Sequence, residues 1–156
     1  MRGGVHMEEI IGFSKFEALF RKAASLDIDK SDLKRFIVLI NEKISDLFII
    51  ANAAAKANER VIIQLYDLPI TKGIQEDINE FKKYDDYLEL TPVLEKVVTM
   101  PQLNITYSEE VEKIVIELVW ALSVISAKIL KVINPNLKNP TSEDWEKVRN
   151  LFDILQ

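Results

Sequence analysis

The side chains that most often perform chemistry are scarce in this 156-residue chain. Its single histidine, His6, stands near the N-terminus outside any amphipathic segment, so no Ser-His-Asp set and no histidine base can be assembled. Cysteine is absent, which excludes thiolate nucleophiles, thiolate metal sites and disulfides. Asp and Glu are plentiful, yet carboxylates in proximity alone make neither an acid/base couple nor a metal site. Gly73 stands by itself within a helical pattern, so no glycine-rich loop is available to cradle a phosphate. These absences predict a protein that is not an enzyme and needs no metal, no cofactor and no small-molecule substrate.

The elements that carry the remaining candidates are helical. Phe16, Leu19, Phe20 and Ala23 form a short amphipathic segment, broken at Leu26-Asp27-Ile28. Asp29 stands at an N-cap position, with Asp32 three residues on favouring the same positive end of the helix. Apolar residues from Leu33 to Ala55 then predict a helix of about seven turns, ended by Asn58-Glu59. Val61-Ile62-Ile63 reads as a strand-like bridge. Asp67 is expected to cap a shorter helix with Pro69 in its first turn, burying Ile70, Ile74, Ile78 and Phe81.

The pattern repeats. Val93, Leu94, Val97 and Val98 form a short helix stopped by Met100-Pro101. Thr106 is expected to cap the next long helix with Glu109 in the capping-box position, and Asn134-Pro135 ends it. The last helix starts at Thr141 or Asp144 and carries Trp145, Val148, Leu151, Phe152 and Leu155. Asp29 to Asp67 and Thr106 to Asp144 are both 38 residues, which predicts a duplicated scaffold with little sequence identity between its halves. Trp120 and Trp145 are expected to be buried between the halves, and Tyr84 and Tyr87 to anchor the connector, a small exposed contact surface being the alternative. The chain divides into a tail (1–13), a first unit (14–84), a connector (85–91) and a second unit (92–156), all one compact domain.

Composition is globular, with 48% hydrophobic and 29% charged residues. No apolar run is long enough to span a bilayer and no signal peptide is evident, which together with the lack of cysteine suits the cytoplasm. The net charge of −5 is uneven. Residues 1–84 carry 13 basic and 13 acidic side chains, whereas residues 85–156 carry 7 and 12.

Short–long–short helices joined by two bridging loops resemble the histone fold, and residues 16–81 resemble an archaeal histone. The run Lys56-Ala57-Asn58-Glu59-Arg60 through Val61-Ile62 to Asp67-Leu68 carries the likeness. In histones an arginine after the long helix pairs with an aspartate seven residues later. The resemblance therefore implies a structural clamp between Arg60 and Asp67, able to lock the second loop against the last helix through a bidentate bond. In the second half Leu137 stands where Arg60 would be. Over residues 14–155 the chain is similar to a small group of uncharacterised bacterial proteins with a double histone fold, notably in DLPITKGIQEDINEF (67–81) and LKNPTSEDWEKV (137–148). This likeness implies an all-α fold in which two fused histone folds pack as an intramolecular handshake, a pseudodimer.

A histone dimer touches DNA phosphates at two paired loop edges and at its centre. The resemblance carries this over to Lys30 with Lys138 at one edge, and Arg60 opposite the uncharged Gln102–Ile105 at the other. Lys15, Arg21 and Lys22 would supply the centre, with Lys34 and Arg35 near the start of the long helix; the second half offers only Lys96, beside Glu95. So few cations, interleaved with Asp27, Asp29 and Glu59, favour a scaffold binding another protein or its own copies. Sequence-nonspecific DNA binding in the nucleoid is the alternative.

Overall fold

The computed structural model describes residues 2–98 and 106–155, and within them the side chains other than those of residues 2–11, 82 and 86–88. It is all-α, with helices α1 (Arg2–Ala24), α2 (Lys30–Ala57), α3 (Lys72–Leu88), α4 (Thr91–Val97), α5 (Glu109–Ile133) and α6 (Ser142–Leu155). Two short strands, β1 (Ile62–Ile63) and β2 (Thr106–Tyr107), pair in parallel with Ile62 opposite Thr106. The Met100-Pro101 stop and the Gln102–Ile105 loop lie outside the described residues, as do the side chains of His6 and Tyr87.

α2 starts where its sequence dictates. Asp29 accepts from the Asp32 amide and Asp32 accepts from the Asp29 amide, each at 2.8 Å, closing a reciprocal capping box. Elsewhere the starts move. Asp67 lies in a 3-10 turn (Leu65–Asp67), and Thr71 caps α3 by accepting from the Ile74 amide. Leu68 precedes Pro69, whose ring drives it into extended backbone (ψ 132°), so no helix can begin at Asp67. Thr106 is spent on β2, and Ser108 caps α5 instead. The real caps are therefore 42 residues apart in the first half (29 to 71) and 33 in the second (108 to 141), not 38 in both.

Two expected irregular segments are helical. α1 extends back to Arg2 through most of the segment read as a tail, because adding turns to a formed helix costs little. α3 continues to Leu88, leaving Glu89 and Leu90 as the connector. Nothing between 82 and 88 breaks a helix, and the reversal is made by the Asp85 carboxylate, which accepts from the Leu90 and Thr91 amides and the Thr91 hydroxyl.

α5 is the central element. Leu118 through Val124 are all buried, and its serines Ser123 and Ser126 satisfy their hydroxyls on the carbonyls of Val119 and Leu122. Trp120 packs on Tyr84 and Phe81 of α3 (centroids 4.6 and 5.6 Å apart) and donates to the Asp77 carbonyl. On the other side Phe20 and Phe36, the latter also packed on Phe16, meet Trp145 of α6, whose indole donates to the buried Asp32 carboxylate at 2.8 Å. Both tryptophans thus come from the second half and pack on residues of the first.

Residues 14–84 produced alone would expose Phe81, Tyr84 and the α2 stripe. They are expected to dimerise or aggregate, and a soluble monomer in sedimentation would show that the halves do not depend on each other.

Candidate interaction surfaces

Two loop edges join the halves. At one, the Asp27 amide donates to the Lys138 carbonyl at 2.7 Å, while the side chains of Lys30 and Lys138 are exposed. At the other, β1 meets β2, and the Ser108 amide extends the pairing to the Ile63 carbonyl. Here Arg60 donates from both terminal nitrogens to the two Asp67 oxygens, each at 2.6 Å, and Gln64 adds a backbone donor. Asp67 is buried, and the bond from Arg60, aided by Gln64 against the cost of burial, holds its carboxyl below the usual range. The guanidinium also lies 4.9 Å from the centre of the exposed Tyr66 ring.

The central cations are divided. Arg21 bonds Asp27 at 3.2 Å and approaches Glu17, Lys22 sits over the Tyr84 ring, and Lys15 is half-buried. Lys34 and Arg35 are exposed and form no ion pair among the described residues. With Val38, Leu39, Trp145 and Arg149 they line a shallow groove of about 250 Å³. Arg149 is held by Glu42 and Glu146. At the corresponding start of α5 a second groove, about 580 Å³, has Phe81 and Ile116 among its lining with Glu95, Glu109, Glu112 and Glu117. Lys113 is the cation lining it.

Lys43 escaped the sequence reading. Its side chain has no exposed surface, and its ammonium bonds Asp153 of α6 and, at 3.2 Å, Asp46. Burial alone would push its pKa down; the bonds to Asp153 and Asp46 outweigh that, and the net displacement is upward. The legible signal was its place on the α2 stripe, three residues after Ile40 and four before Leu47, both buried. Beside it Ile49 and Ile50 are exposed, as are Ile154 and Leu155 after Asp153.

Residues 16–153 match the family described as Domain of unknown function (DUF1931). The chain belongs to the DUF1931 family. This DUF1931 protein is 43% identical to the Thermus thermophilus protein ttk003001566, whose crystal structure superposes with a TM-score of 0.80 over 92% of this chain and 97% of its own. Protein AQ328 from Aquifex aeolicus, known from a 1.9 Å crystal structure, is 24% identical with a TM-score of 0.81 over 93% and 95% of the two chains, a likeness of fold. An uncharacterised protein of Aquifex aeolicus (strain VF5) is 25% identical over 142 residues, covering 91% of the DUF1931 chain and 82% of its own. No helix among the described residues is long and apolar enough to cross a membrane.

The clamp has a pH signature. Because the folded pKa of Asp67 lies below its unperturbed 3.8, the unfolded state binds that proton more readily. The clamp's stabilisation is complete above the free-carboxyl range and is lost as pH falls through the lower folded value. Arg60→Ala should lower the unfolding midpoint at neutral pH and flatten the acid loss of stability between about pH 5 and pH 2. Parallel acid limbs in the two proteins would deny the pair this role.

Replacing Lys43 by Met should leave stability within about 1 kcal/mol of the parent, or raise it, since an apolar chain of similar length avoids the cost of a buried charge. Asp46→Asn with Asp153→Asn should cost about 1–3 kcal/mol by stranding the ammonium. Urea unfolding of the two variants tests that ranking.

Proposed function

We propose that this chain is a double histone fold, two short–long–short units clasped in one handshake, and that it is a non-enzymatic module for binding another protein or its own copies in the cytoplasm. Support for the fold reading comes from the loop edges, where a loop of each half bonds a loop of the other: Asp27 with Lys138, and β1 with β2. The absence of cysteine suits a reducing compartment.

The use as a protein-binding module is carried by one observation. At matching starts of the long helices the first half presents Lys30, Lys34 and Arg35, and the second presents Glu109, Glu110 and Glu112. A duplex running over both halves would pass from cations onto carboxylates, which repel its phosphates. Arg60 and Arg21, the arginines assigned to the second edge and the centre, are already committed to Asp67 and Asp27.

Weak, sequence-nonspecific DNA binding is the second reading, favoured by the exposure of Lys30, Lys34, Arg35 and Lys138. A gel-shift titration with random-sequence duplex separates the two. The interaction-module reading expects no shift at micromolar protein in low salt. A tight shift, weakened steeply by salt and by changing Lys34, Arg35 and Arg60 together, would replace it with DNA binding.

A further inference from the structure

We infer that the Lys34–Arg35–Val38 ridge of one copy seats in the glutamate-rimmed groove of a second copy, so that this chain associates head to tail with itself. The inference rests on the interaction-module reading and names its partner.

Both surfaces are incomplete within one chain. Val38 is 60% exposed, and helical spacing puts Lys34 and Arg35 beside it, one turn earlier on α2. Neither cation has an ion pair among the described residues, although Arg149 in the same groove is held by two glutamates. The groove between α4 and α5 has the opposite character: Phe81 and Ile116 are its apolar lining, and Glu95, Glu109, Glu112 and Glu117 form no ion pair among the described residues. Lys113 offsets only one of those four charges. An exposed apolar side chain flanked by cations is complementary in charge to a concavity of about 580 Å³ flanked by carboxylates. Two ridges, or two grooves, would repel.

The occupant that fits on charge is thus already in solution wherever this protein is. Because ridge and groove are different surfaces, a docked pair leaves one of each unfilled, and the contact propagates into chains or rings. Exposed charges separated by more than a Debye length are screened, so the association must weaken with salt.

Sedimentation velocity of the full chain over a protein titration tests this. At about 0.05 M salt the weight-average mass is expected to rise at least about twofold, returning to monomer at about 0.5 M. Lys34→Glu with Arg35→Glu, and separately Glu109→Lys with Glu112→Lys, should each remain monomeric at low salt. Mixing the two variants should restore association, because each then offers the face the other requires. The milder Lys34→Gln, Arg35→Gln protein, with parental circular dichroism, keeps the result readable if a reversal disturbs folding.

A parent that stays monomeric at low salt, or reversal variants that associate as the parent does, would overturn the proposal. If the monomeric parent also leaves duplex unshifted, self-association fails while the interaction-module reading stands. If duplex is shifted, and the shift is lost with Lys34→Glu and Arg35→Glu, both fail.

Discussion

The enclosure of α5 is the constraint from which the rest of the arrangement follows. Seven consecutive residues, Leu118 to Val124, are buried, so the middle of this helix has no side to give to solvent. A helical segment buried on every side must be surrounded, and α5 touches all five other helices, three of them from the first half of the chain. The two halves therefore share one core. α2 keeps an exposed face that includes Lys34, Arg35 and Val38, while α5 exposes charged residues mainly at its start, Glu109, Glu110 and Glu112.

Within that core a few polar groups set how the helices meet. Trp145 reaches Asp32 across 113 residues, Trp120 reaches the Asp77 carbonyl, Lys128 bonds the Asp77 carboxylate at 3.0 Å, and Lys43 ties α2 to α6 through Asp153. Apolar contacts tolerate sliding by a fraction of a turn, whereas a buried carboxylate that loses its donor is left desolvated and unpaired. Burial pushes the Asp32 carboxyl up while hydrogen bonds from Asp29 and Trp145 oppose it, so its environment depends on α6 being in place.

Charge breaks the symmetry that the scaffold would otherwise have. Matching helix starts carry cations in one half and glutamates in the other, and the deficit of −5 falls wholly in residues 85–156. A uniform basic rim would suit a phosphate backbone; two faces of opposite sign suit a protein surface of complementary sign.

Helix type was largely readable from residues close together, and for α2 its start as well: the α2 stripe, the Asp29–Asp32 box and the β-branched bridge at Ile62–Ile63 all act over a few residues. The start of α3 is set by a local signal too: the steric effect of Pro69 on Leu68 outweighs the capping tendency of Asp67. Thr106 looked like a cap until β1 claimed it, and that claim comes from a strand more than 40 residues away. Lys43 lies on the buried stripe of α2, and only packing against α6 brings Asp153 to it. By itself the sequence determined a mainly helical chain built around two long helices, with one histidine and no cysteine. The tertiary structure decided which carboxylate meets which donor and which charges remain exposed, because capping and periodicity act within a turn or two while burial and ion pairing depend on helices far apart in the chain.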